Sequence, residues 1–184
     1  MPIALRAAGP DDAAAIAAIY APHVVAGTVS FETVAPDASA MRGRMAASAG
    51  LYPWIVAADG GDVLGYAYAT DFSAREAYRW AVETTVYVAA TAQRRGVGRR
   101  LYLALIATLR AQGFTQAIGR IALPNEGSVA LHEAAGFECA GVLREIGWKG
   151  GAWIDVAYWQ RALADAAPSP AEPRRFADAG LVQP

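Results

Sequence analysis

Between Gln93 and Arg100 the chain reads QRRGVGRR, two glycines among four arginines, and runs directly into the apolar LYLALIATL. Residues of these types at a strand-to-helix turn can make an anion site. The first amide N–H groups of a helix have no internal acceptor, and the helix dipole adds positive potential there. Gly96 and Gly98 leave the backbone open to a diphosphate, while Arg94, Arg95, Arg99 and Arg100 offer charge-assisted contacts. A plain turn with solvated arginines would read the same way, and the turn alone does not separate the two. The kind of phosphate can be narrowed. A nucleotide-hydrolysing P-loop needs G-x-x-x-x-G-K-[ST], and no Lys or Ser/Thr follows these glycines. A redox dinucleotide needs G-x-G-x-x-G after the first strand, whereas this turn lies mid-chain with different spacing. A net charge of −1 leaves no basic excess for nucleic acid. Coenzyme A, a cofactor with a diphosphate handle, survives these exclusions.

Such a turn needs a strand before it and a helix after it, and both are legible. ETTVYVAA alternates as a strand, and a helix is expected from about Gly98 to Gln112 with Gly113 as its stop. Upstream, IALRAA reads as a strand and GPDDAAAIAAIYAPHVV as a helix with Asp11 or Asp12 near its N-cap. TVSFETV reads as extended, and PDASAMRGRMAAS as a helix with Pro36 in its first turn. PWIVAADGGDVLGYAYATDF is a hairpin about Asp-Gly-Gly-Asp, followed by the polar, aromatic loop SAREAYRWAV. Downstream, TQAIGRIAL is a strand and NEGSVALHEAAG a helix capped by Asn125 and ended by Gly136. FECAGVLREIGWKGGAWIDVAYWQRAL reads as two strands around Lys-Gly-Gly. Strands and helices alternate mid-chain with hairpins on either side, which predicts a mixed α/β sheet with helices on both faces.

At 184 residues, 55% hydrophobic and 18% charged, the composition is that of one ordered domain. No apolar run reaches the roughly 18 residues of a membrane helix, and the N-terminus carries no signal-peptide pattern. A cytoplasmic protein with no membrane or nucleic-acid partner is expected. Lys149 is the only lysine and Cys139 the only cysteine, so an internal disulfide and a cysteine zinc site are excluded. Cys139, in an apolar strand, reads as a packing residue. From Ala164 onward the Pro/Ala-rich chain shows no periodicity and is expected to be a disordered tail, 164–184, after a domain spanning 1–163.

Q-x-x-G-x-G, here Gln93, Gly96 and Gly98 after TTVYV, resembles the acetyl-CoA motif of the GNAT superfamily of N-acetyltransferases. NEGSVALHEAAGF, Asn125 to Phe137, resembles that superfamily's later motif. More narrowly, TVSFET, YPWIVA, AYRWAVETTVYV, LPNEGSVALHEAAGF and GVLREIGWKGGAWIDVAYWQ resemble the phosphinothricin and methionine sulfoximine N-acetyltransferase branch, over roughly Ile3 to Leu163. The resemblance implies a single-domain GNAT fold with a mixed, mostly antiparallel sheet. It also implies an acetyl-CoA-dependent enzyme without a metal, direct transfer in a ternary complex, and a homodimer.

The implied roles fall on particular residues. Glu83 at the entrance of ETTVYV matches the branch's catalytic base; its plainer role is a solvated carboxylate or an ion pair with Arg79. Val86, Tyr87 and Val88 would present backbone groups to the acetyl and pantetheine arm. Arg94, Arg95, Gly96, Val97, Gly98 and Arg99 would grip the diphosphate. Asn125 and Ser128 would contact the pantetheine, although both also suit simple helix capping. His132 stands where many members carry a tyrosine that protonates the leaving thiolate, and an imidazole could serve as acid, base or cofactor contact. Arg75, with Glu76, Ala77 and Tyr78, would receive an amino acid's anionic group, and Phe31 would close the pocket. His23 is expected to be structural. Acetylation of a protein N-terminus and an inactive coenzyme A-binding module remain the alternatives.

Overall fold

The apolar run WIVAAD is β2 (Trp54–Asp59), and it is buried along nearly its whole length because its two faces meet different helices. Ile55 and Ala57 join one core cluster while Trp54 and Val56 join another, the period-two signature of a strand covered on both sides. Gly60 and Gly61, at φ of 60° and 109°, return the chain into β3 (Asp62–Asp71), with Asp59 opposite Asp62. Two consecutive positive φ values match the twist of a hairpin and favour glycine there. The structure, a computed structural model, describes residues 3–48 and 50–183.

With β1 (Ala4–Ala7), β4 (Ala81–Val88), β5 (Gln116–Ala122), β6 (Glu138–Lys149) and β7 (Ala152–Ala162), the described strands form one seven-stranded sheet ordered β1-β2-β3-β4-β5-β7-β6. Every neighbouring pair is antiparallel except β4 and β5, which run parallel. The mixed, mostly antiparallel sheet is therefore as expected. α1 (Ala13–Val25) and α2 (Ala38–Ala47) cover one face, where Ile16, Tyr20, Val24 and Met41 pack on Trp54, Val56 and Tyr66. α3 (Val97–Gln112) and α4 (Glu126–Ala134) cover the other, where Leu101, Tyr102, Leu105 and Leu109 meet Ile55, Ala67, Val82 and Ala117.

Several local expectations are revised. Pro36 lies outside α2, and Asp37 caps it: its carboxylate accepts from the Ala40 amide at 2.8 Å, satisfying an N–H that the helix leaves free. TVSFETV joins no ladder among the described residues. Its polar groups bond elsewhere: Ser30 and Glu32 to the Tyr20 hydroxyl (2.6 and 2.8 Å), while the Lys149 ammonium donates to the carbonyls of Val24 and Ser30. Cys139 is exposed on β6, the outermost strand, and is not a packing residue.

The tail is not structureless. It runs back over the domain, forms the short helix α5 (Phe176–Ala179) and ties itself to α3. The Arg174 amide donates to the Gln112 carbonyl at 2.7 Å, the Gln112 amide nitrogen to the Arg174 carbonyl at 2.8 Å, and the Val182 amide to Thr108 Oγ1 at 3.0 Å. Gln112 and Thr108 are fully buried. Composition suggested disorder because the tail's own residues are poor in periodic apolar groups; what orders it are polar acceptors placed on a distant helix.

Candidate active site

The parallel pair β4–β5 is joined only at Ala81↔Gln116, Val82↔Ala117 and Glu83↔Ile118, and beyond that rung the strands part. β4 stays paired to β3 as far as Val88, and β5 to β7 as far as Ala122, so neither strand is disordered by the split. From Thr84 to Val88 the edge of β4 facing β5 therefore has no ladder partner. Thr84 sits at the fork, its hydroxyl 3.1 Å from the Ile118 carbonyl and 2.8 Å from the Tyr102 hydroxyl.

Alternation sorts the side chains around the split. Val82, Val86 and Val88 pack with α3, whereas Tyr87 turns to the α1–α2 face against Tyr20 and His23, at ring distances of 5.0 and 4.9 Å. The backbone of Val86, Tyr87 and Val88 thus runs along the split while their side chains pack to either face. A cavity of about 420 Å³ passes through it. Tyr20, Phe31 and Glu32 line it from the α1–α2 side and Asn125, Ser128 and His132 from the α4 side, so it connects the two faces of the sheet. Phe31 packs against Gly147 of β6, where any side chain would collide with its ring.

Glu83 is the last paired residue before the strands diverge, and its side chain is 17% exposed. Its carboxylate is gripped by Arg120: Nε donates to Oε1 at 2.7 Å and Nη2 approaches Oε2 at 2.6 Å. Burial works against the guanidinium's charge, but Glu83 and a hydrogen bond with Tyr158 outweigh it, so the pKa of Arg120 is raised. The ion pair differs from the one anticipated. Arg79 instead pairs with Glu172 at 2.9 Å and lies over the Trp80 ring. Arg120 escaped the sequence reading: period two puts it on the face of Ile118, but only the register of Ile118 with Glu83 brings it to the carboxylate. Glu32 was also missed. It lines the cavity with both oxygens held by Arg44, at 2.7 and 2.8 Å, and nothing in SFET marks it.

His132 is 7% exposed and both ring nitrogens have partners within the protein. Nδ1 lies 2.8 Å from the Ser128 carbonyl, which can only accept, so Nδ1 carries the hydrogen; Nε2 lies 2.9 Å from the Tyr102 hydroxyl. Burial lowers the histidine's pKa, favouring the neutral ring, and in that form Nε2 accepts from Tyr102. The ring rests on Gly119 of β5, which has room for it only because it lacks a side chain. Asn125 caps α4 by accepting from the Ser128 amide at 3.0 Å, and both residues line the cavity.

The turn expected to bind phosphate leads into α3 with Arg94 and Gly96 at φ of 58° and 76°. Nothing lies within 4 Å of the position a Gly96 side chain would take, so the turn's backbone is open to a ligand. Arg94, Arg95 and Arg99 are exposed and form no ion pair among the described residues. Val97 is buried and can contribute only its backbone, and Gly98 packs beside Leu131 and Val88. Arg100 turns away to the Ile3 carbonyl at 2.9 Å.

Of the expected acceptor loop, Arg75 and Tyr78 line a second cavity of about 300 Å³, whereas Glu76 and Ala77 are exposed outside it. Phe72 and Ser73 were not anticipated there. The two cavities meet at three shared residues, Glu83, Arg120 and Tyr158, and Arg120 and Tyr158 are direct partners across β5 and β7.

Residues 5–158 match the acetyltransferase (GNAT) domain family. The chain belongs to the GNAT acetyltransferase family. A phosphinothricin N-acetyltransferase of Alcaligenes faecalis is 48% identical over 162 residues, covering 86% of this chain and 82% of that protein. An L-methionine sulfoximine/L-methionine sulfone acetyltransferase of Pseudomonas paraeruginosa is 36% identical over 165 residues, 89% and 96% of the two chains. Among solved structures, a GNAT phosphinothricin acetyltransferase of Sinorhizobium meliloti in complex with acetyl-CoA superposes with a TM-score of 0.88 at 38% identity, covering 94% and 95%.

This GNAT chain is an acetyl-CoA-dependent N-acetyltransferase. Its split sheet fits that co-substrate. An unpaired β4 edge offers amides and carbonyls to an amide-bearing arm, and the open turn at Gly96 meets a helix N-terminus where a diphosphate is favoured. Acetyl-CoA supplies the activated acetyl group. No group of His, Cys, Asp or Glu suited to a metal occurs among the described residues, and no helix among them is long and apolar enough to cross a membrane.

Proposed function

We propose that this GNAT enzyme acetylates the α-amino group of a small amino acid, with phosphinothricin, methionine sulfoximine and methionine sulfone as the leading acceptors and their detoxification as the consequence. The observation that carries this reading is the placement of Glu83. A carboxylate stands at the fork where a cavity crossing the sheet meets a second cavity lined by Arg75 and Tyr78. An amine entering from the α1–α2 face can give its proton to Glu83 as it attacks, directly or through one water. Backbone groups from Thr84 to Val88 align the acetyl arm, and the turn at 94–99 with Asn125 and Ser128 holds the rest of the co-substrate. Transfer is direct, since exposed Cys139 borders neither cavity. His132, with both nitrogens engaged, serves as a cofactor-contacting residue that shapes the cleft and not as a free acid.

A site lined by Phe31 and Tyr158 beside the loop that carries Arg75 and Tyr78 suits a compact acceptor better than a protein N-terminus. Homodimerisation accords with the exposed Ile146, Trp148 and Trp153 of the β6–β7 hairpin at one end of the sheet. A cytoplasmic location accords with the use of acetyl-CoA.

Thiol release measured across small amino acids, peptides and a protein N-terminus is the direct test. Turnover should be greatest with the three named acceptors, and activity only on peptides would overturn the assignment. Glu83→Gln should lower kcat by roughly 100- to 10,000-fold, the span expected of a general base. Acetyl-CoA binding should change little, and near wild-type turnover would remove Glu83 from the mechanism.

A further inference from the structure

We propose that the Glu83–Arg120 ion pair is the resting occupant of the amino-acid subsite, and that the zwitterionic acceptor enters by exchange, its carboxylate taking Arg120 as its amino group takes Glu83. The proposal rests on the reading that the acceptor is an α-amino acid and adds to it the residue that recognises the carboxylate. In the resting pair each Glu83 oxygen takes one contact from Arg120, at 2.7 and 2.6 Å, so an ammonium approaching Glu83 also meets the guanidinium's positive charge. A carboxylate on the same ligand offsets that repulsion by drawing the guanidinium to itself. Arg120 is the member able to move, being 51% exposed against 17% for Glu83, and its guanidinium lies where the two cavities join. Tyr158, beside it on β7, remains as a partner once Glu83 is released.

Charge balance sets the specificity. The pair is neutral in a partly enclosed site, so a ligand bearing only an ammonium, or only a carboxylate, leaves one protein charge without a partner. A zwitterion leaves none. An anionic acceptor therefore unmasks its own base, and uncharged-end amines meet a site in which Arg120 still holds Glu83. One proton goes from the acceptor's ammonium to the freed carboxylate, the amine lone pair forms the new N–C bond as the thioester C–S bond breaks, and the second proton lost from nitrogen leaves on the departing thiolate as the free thiol of coenzyme A.

The test compares two acceptors that differ only at the carboxylate, methionine sulfone and its α-carboxamide, in wild type, Arg120→Gln and Arg120→Lys. Wild type should strongly prefer the acid. Arg120→Gln should lower kcat/KM for the acid by roughly 10- to 100-fold, the range for losing a charge-assisted hydrogen bond. The amide should lose far less, so the acid-to-amide ratio collapses, and Arg120→Lys, which keeps the charge without the fork, should fall between. KM for acetyl-CoA and the melting temperature, read in the same variants, should stay near wild type. Equal losses on acid and amide would overturn the exchange and leave Arg120 as an orienter of Glu83. A wild-type enzyme that acetylates no α-amino acid, yet releases thiol with other amines, would overturn the functional reading and the exchange together.

Discussion

At the scale of single residues, Gly119 and Gly147 are defined by what lies on them. A methyl group on Gly119 would collide with the His132 imidazole, which both Tyr102 and Ser128 hold in place. Gly119→Ala should destabilise the fold by about 1–3 kcal/mol, the usual penalty for overpacking, and should raise KM for acetyl-CoA more than KM for the amine. Steady-state kinetics with each substrate varied would check this; an unchanged acetyl-CoA KM would mean that His132 does not shape the donor side. The sequence singles out Glu83, His132, Asn125 and the glycines of the turn as candidates because a motif marks each one. Arg120, Gly119 and Glu32 carry no motif. Their roles come from register and from neighbours 37, 13 and 12 positions away, namely Glu83, His132 and Tyr20 or Arg44, and a linear pattern contains no such information.

At the scale of elements, strands and helices were largely legible because alternation and caps are local. The tail was not, because its order depends on acceptors on α3 and around the acceptor loop. Trp80 Nε1 donates to the Ala171 carbonyl at 2.8 Å and Glu172 pairs with Arg79, so the tail braces the segment that follows Arg75 and Tyr78. The Arg79–Glu172 pair is exposed and contributes little alone; the bonds to buried Gln112 and Thr108 matter more. Deleting the chain after Leu163 strips partners from both, at a cost of about 2 kcal/mol, or roughly 4–8 °C in Tm. It should also raise KM for the amine while leaving that for acetyl-CoA nearly constant. Calorimetry and kinetics on the truncated chain would test both, and an unshifted Tm would reduce the tail to a passive appendage.

At the scale of the whole molecule, the two histidines give stability a predictable pH dependence. His23 and His132 are both pushed below the ordinary 6.5 by burial. The unfolded chain therefore binds protons first as pH falls, and stability declines from about pH 6.5 down to the lowered values, then levels for these groups. His132→Asn should flatten part of that slope, read from Tm at pH 7.5 and 5.5; an unaltered slope would assign the dependence to other groups.

The passage between β4 and β5 has a kinetic corollary. Because it opens toward α4 on one side and toward α1 and α2 on the other, it behaves as a room with two doors. Neither substrate should then need to wait for the other. Loading in either order is the expected outcome, checked by initial-velocity lines that cross and by product-inhibition patterns, and its structural root is one ladder that stops after three rungs.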